Sequence, residues 1–229
     1  MGGSGLYFLV FFIPPLIVGF LVQGWLKRTV SQEMAVPVGN ALTGAQVARE
    51  ILDRNGLHAV PVERAPGGPL SDNYDPRKRA LFLSAPVYEG RSVASTAIAA
   101  HEVGHAIQHA KAYKPMEIRT AIFPVVAFAS NTWFLLLMFG AIANTLGLIK
   151  VAVVLYAAVV LFQIVTLPVE FDASRRALGQ ITGLGLVSAG EHRGARKVLT
   201  AAAMTYVAAA LAAVAQLAYY LLVFLGGRR

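Results

Sequence analysis

The chain has 229 residues, of which 56% are hydrophobic and 14% charged, with a mean hydropathy of +0.59; this excludes an ordinary soluble domain and predicts a membrane protein. The formal net charge of +8 reads as basic loops that set topology, since the basic residues are scattered among acids and lack the aromatic platform of a nucleic-acid binder. The absence of cysteine excludes thiolate ligands, disulfides and a cysteine nucleophile.

Residues 6–26 carry no charge and are long enough to span a bilayer, with Pro14 and Pro15 as an expected kink. Lys27 and Arg28 follow at once. Charges after the apolar run, and no clean small-residue cleavage site, favour an uncleaved anchor over a signal peptide. Residues 29–118 form the long polar region. Thr43 predicts the cap of a helix to about Asn55, with Gly56 as its stop. His58 to Val62 is short and β-prone, Pro66 to Pro76 reads as a loop, and Arg79 to Ser84 reads as a strand. Ser92 predicts the cap of a second helix running to about Ala112.

Residues 119–148 and 151–167 are further apolar runs joined by a short polar link, which predicts a membrane helical hairpin. Residues 168–197 are polar again, and 198–225 form a fourth apolar run rich in alanine. Residues 27–119 hold twelve of the Lys and Arg residues and 170–197 hold five, the other three being Lys150, Arg228 and Arg229. Four spans place both rich segments on one side, which the positive-inside rule makes cytoplasmic. Arg228 and Arg229 then end outside, against the rule.

The chemistry concentrates in His101-Glu102-Val103-Gly104-His105. On a helix the two imidazoles lie one turn apart on one face and can close on one metal ion, for which zinc is the usual occupant. Glu102, beside the first histidine, is placed to take a proton from a water. His109 continues the spacing. Eight residues of helix rise about 12 Å, so His101 and His109 cannot share an ion, and His109 is read as a residue outside the ligand set. Gly104 in mid-helix predicts close packing near the metal.

A catalytic zinc site needs a third protein ligand and an open position. The best source is Pro168 to Arg176, where Glu170 and Asp172 follow the third apolar run. Glu170 is the preferred ligand; Asp172, or pairing of the acids with Arg175 or Arg176, is the alternative. For stabilising the transition state or for orienting the ligands, Tyr206, His192, Asp172, Ser174 and His109 are candidates. Asp72, Asp75 and Arg77 are expected to fix a loop.

The His-Glu-x-x-His segment followed by a glutamate on a later helix resembles the gluzincin metallopeptidases. The membrane-embedded members carry Glu-x-x-Ala-Asp on that helix; Glu170 and Ala173 match it, while Ser174 stands where the aspartate would be. The chain resembles more closely the YugP-type bacterial membrane zinc metallopeptidases, through Asp72 to Arg77, Leu83-Ser84, His101 to His109, Pro168 to Arg176, and Lys197 to Ala202 with Thr205-Tyr206. That resemblance implies a multi-pass protein of the bacterial inner membrane with one zinc per chain and peptidase activity. In such peptidases a strand edge near the metal helix takes the substrate backbone, a role open to Arg79 to Ser84 alongside plain packing.

The expected architecture is an α-helical polytopic membrane protein of about four spans with a small α+β zincin-like domain on the cytoplasmic side. The expected reaction is peptide hydrolysis with His101, His105 and Glu170 as zinc ligands and Glu102 as the catalytic base. The expected partners are the lipid bilayer and a peptide or protein substrate, membrane-associated or not, and no nucleic acid. A scaffold or regulator with a structural zinc is the alternative. A metal transporter is disfavoured, because the spans offer mainly Gln163 and Gln216 as polar groups.

Overall fold

The computed structural model describes residues 2–68 and 70–226. The chain is mostly helical. Its elements are α1 (Gly2–Met34), α2 (Gly44–Arg54), β1 (Val62–Arg64), β2 (Asn73–Asp75), β3 (Ala80–Leu83), α3 (Ala85–Tyr88), α4 (Val93–Ala110), α5 (Lys114–Ile142), α6 (Leu146–Gly183) and α7 (Ala189–Gly226). Helices α1, α5, α6 and α7 are long and apolar enough to cross a membrane. Arg228 and Arg229 lie outside the described residues.

Contacts divide the chain into two compact units. One comprises Met1–Gln23, Ile118–Leu167 and Thr205–Arg229. Its interior is a cluster of Val153, Tyr156, Val160, Ala213 and Tyr220, with Trp133 and Leu137 against it. Gln216, a polar group in an apolar stretch, has its hydrogen bonds supplied: it accepts from the Tyr156 hydroxyl and donates to that of Tyr220, each at 2.8 Å. Helices α5 and α6 are joined by residues 143–145, with Asn144 in the left-handed region at φ 49°, so the hairpin link is as short as the sequence predicts.

The other unit comprises Gly24–Glu117 and Pro168–Met204 and holds the mixed α/β part. Helix α2 opens on a capping box: Thr43 Oγ accepts from the Gln46 backbone N–H, and the Gln46 side chain accepts from that of Thr43. Val47, Ile51 and Leu52 face the core from it, fully buried. Helix α4 opens on a second capping box, made by Ser92 and Ser95. It is buried over most of its circumference, as befits the central element of a core. Val93, Ala97, Ala100, Val103 and Ile107 pack with Leu81, Leu83 and Val87.

The sheet has the order β1-β3-β2. β1 runs parallel to β3 with Val62 opposite Leu81, and β2 runs antiparallel to β3 with Tyr74 opposite Leu81. Three features differ from the sequence reading. The loop expected over residues 66–76 contains strand β2, whose chain reversal is fixed by the Asp75 carboxylate accepting from the backbone N–H groups of Arg77 and Lys78. Strand β3 is the central strand, paired on both sides, so it has no free edge for a substrate and serves as packing. Helix α6 also runs without a break through Pro168, so the third apolar run and the acidic segment after it are one rod.

Candidate metal centre

Two helices build the site. On α4, His101, His105 and Gln108 recur at intervals of four and three residues and so share one face. On α6, Glu170, Ala173, Ser174 and Ala177 do the same, and Ala173 and Ala177 are fully buried. The helices approach closely at Gly104: a Cβ there would lie 2.6 Å from the Ala173 carbonyl oxygen and 3.1 Å from its Cα. Glycine is required at that point because any side chain would strike backbone.

This approach brings His101 Nε2 to 3.2 Å and His105 Nε2 to 3.6 Å from one oxygen of Glu170. The imidazoles stand edge to face, 4.8 Å between centroids. One ligand atom from each of His101, His105 and Glu170 lies within 4.8 Å of the other two, and the side chains of Glu170 and His105 are buried. Donors on a tetrahedral zinc with bonds near 2.1 Å lie about 3.4 Å apart, so the spacing suits such an ion.

The hydrogen bonds behind the imidazoles carry the fit further. The Gln108 amide nitrogen donates to the Val169 carbonyl at 2.8 Å and to the Asp172 carboxylate at 3.0 Å. Its oxygen is therefore left to accept the Nδ1–H of His105, at 3.0 Å. A neutral His105 then has its lone pair on Nε2, facing the Glu170 carboxylate, which is also electron-rich. Two acceptors facing each other in a buried site call for a cation between them. His101 is held in the same sense: Nδ1 meets Ser174 Oγ at 3.2 Å while Nε2 is turned toward Glu170. The donor set, two imidazoles and one carboxylate without sulfur, suits zinc, and no fourth His, Asp or Glu joins the group among the described residues.

Glu102 is buried on the same helix. Burial pushes its carboxyl up to about 7; His101 opposes the rise, Glu170 and Asp72 add to it, and the Tyr74 backbone N–H, which donates to it, opposes it.

The remaining residues singled out in the sequence fall elsewhere. Asp172 is bound by Arg175, Arg176 and Gln108 rather than turned to the histidines. His109 Nδ1 meets the Tyr74 hydroxyl at 2.9 Å. His192 lines a separate cleft with Arg175 and Arg196. Tyr206, half-buried, belongs to the unit of apolar helices. Asp72 accepts from the backbone N–H and hydroxyl of Ser84. Sequence reasoning passed over Gln108, whose only signal was its place three residues after His105.

Comparison with known proteins points to zinc through the family's description. A family model described as "Putative neutral zinc metallopeptidase" matches residues 8–225. The protein called "Putative membrane protease YugP" from Bacillus subtilis (strain 168) is 45% identical over 221 residues, covering 96% of this chain and 98% of that protein. No solved structure matches the chain. With the family model covering all but the ends and that relative aligned along nearly its whole length, the chain belongs to the family described as "Putative neutral zinc metallopeptidase".

Proposed function

We propose that the protein hydrolyses peptide bonds as a zinc-dependent endopeptidase of the bacterial inner membrane, with the site on the cytoplasmic side. His101, His105 and Glu170 hold one zinc per chain and Glu102 carries the proton. The observation that supports this best is the convergence of two imidazole Nε2 atoms and a buried carboxylate beside a second buried carboxylate whose pKa is near 7. Zinc bound there supplies a Lewis acid that polarises a carbonyl and acidifies water.

The chain's own residues do the rest. Gln108 and Ser174 hold the Nδ1 edges of the histidines, which keeps both Nε2 lone pairs aimed at one point. Glu102, buried beside the ligands, takes a proton from water on its carboxylate and returns it to the leaving amine. Asp172 acts through Gln108 by fixing the direction of its amide.

The proposed organisation is a zincin-like part over residues 29–118 joined by the acidic segment 168–197, with spans at 6–26, 119–148, 151–167 and 198–225. The excess of Lys and Arg in the two polar stretches supports their cytoplasmic location. Substrates are peptides or proteins brought to the bilayer surface.

The test is Glu102→Gln in the full-length protein. It retains one zinc per chain and loses at least about a hundredfold in peptide cleavage. Cleavage at the wild-type rate with zinc retained rules the mechanism out.

A further inference from the structure

An open cleft of about 410 Å³ lies between the α6 and α7 stretches of the mixed α/β unit. Arg175, Arg196 and His192 line it as a basic set, and Ser174 and Thr200 add hydroxyls. Its apolar wall is made by Phe171, Leu178, Leu199 and Met204. No acidic residue lines it. Among the described residues the side chains of His192 and Arg196 make no hydrogen bond or ion pair, and only Arg175 has an acidic partner, Asp172. The unpaired Arg196 guanidinium beside an apolar surface, with His192 and Arg175 as further donors, is complementary to an amphiphile with an anionic head.

Position along the chain says which amphiphile. Phe171 follows Leu167, where the unit of apolar helices breaks off on α6, by four residues; Met204 directly precedes Thr205, where that unit resumes on α7. Phe171 is half exposed, at 49%. Phe171 thus lies in the first turn beyond the proposed span 151–167, and Leu199 and Met204 lie in the first two turns of the proposed span 198–225, the boundary depth at which phospholipid head groups lie. A substrate carboxylate fits less well. Ser174 touches the Nδ1 edge of His101, whereas the edge that faces Glu170 is Nε2. The cleft shares Ser174 with that Nδ1 edge, and none of His101, Glu102, His105 and Glu170 lines it.

We propose that this cleft binds the head group of an anionic phospholipid, with the phosphate between Arg196, Arg175 and His192 and the start of an acyl chain along Phe171 and Leu199. This does not depend on the peptidase reading, and its test reads binding alone.

The full-length protein in neutral detergent is titrated with dimyristoyl phosphatidylglycerol and, separately, with dimyristoyl phosphatidylcholine, and bound lipid is counted by native mass spectrometry. The wild type prefers phosphatidylglycerol. Arg196→Glu weakens that lipid at least about fivefold, with the melting temperature unchanged because the side chain is exposed. His192→Glu, made separately, acts in the same direction. Arg54→Glu, an equal charge reversal on α2 where the arginine pairs with Glu50, stays within about twofold of the wild type. Equal loss in Arg54→Glu and Arg196→Glu, no preference over phosphatidylcholine, or displacement of the lipid by equimolar inorganic phosphate or an acidic peptide would each overturn the proposal.

Discussion

At the scale of single residues, the centre depends on groups that hold its histidines from behind. Gln108→Leu removes the acceptor for His105 Nδ1 and leaves the Val169 carbonyl and Asp172 short of a donor. It is expected to weaken zinc binding by about 10- to 100-fold, measured by competition with a chromogenic chelator. Ser174→Ala weakens it in the same assay, and Ser174→Asp, which restores an acceptor for His101, recovers it. Glu102 gives a pH signature. In the zinc-free protein its folded pKa of about 7 lies above the ordinary glutamate value of 4.5, so the folded state binds the proton more tightly than the unfolded one. That contribution is complete below about pH 4.5 and is lost as pH rises through about 7, amounting to roughly 3 kcal/mol. Glu102→Gln has no charge to bury. Its melting temperature relative to the wild type, both zinc-free, should therefore climb between pH 5 and pH 8; a constant gap would contradict the burial argument. His101 and His105 were legible in the sequence because a four-residue spacing has meaning within one helix. Gln108 was not, because its role depends on Val169 and Asp172, more than sixty positions away.

At the scale of elements, the site is a contact between α4 and α6. Gly104→Ala gains helix propensity worth about 1 kcal/mol, but the added methyl meets the backbone of Ala173 at 2.6 Å. Overpacking against backbone costs about 1–3 kcal/mol, so the net effect is lower thermal stability together with weaker zinc binding, since the displaced helix carries both histidines. A variant as stable as the wild type and with its zinc affinity would show that the contact does not set the site. The helix starts were readable, since Thr43 and Ser92 each supply a capping hydroxyl just before an apolar-periodic stretch. Strand β2 was not, because its three residues sit in a stretch rich in Pro, Gly, Asp and Asn and gain their extended form from pairing with β3. Pro168 suits a helix start by local preference, yet α6 continues through it, because the packed turns on either side outweigh its missing N–H. The β3 edge fell because strand order is a tertiary fact that no local pattern carries.

At the scale of the whole molecule, composition alone announced the four apolar helices, and the distribution of Lys and Arg supports a sidedness that can be measured. The natural absence of cysteine makes the chain suited to single-thiol labelling. Cysteines placed at the exposed positions Glu63 and Arg193 should resist a membrane-impermeant maleimide in intact spheroplasts and react after lysis. One at Thr145, in the link between α5 and α6, should react in intact spheroplasts; the opposite pattern would invert the proposed topology. The central claim is that two imidazoles and one carboxylate hold a zinc with a position left open. Zinc-edge X-ray absorption on the purified full-length protein, with zinc counted per chain, tests it most directly. The expected result is one zinc per chain, a shell of two imidazole nitrogens with the remainder oxygen at about 2.0–2.2 Å, and loss of stoichiometric zinc in His101→Ala and in Glu170→Ala. A shell closed by four protein ligands, or full zinc occupancy in both variants, would contradict it.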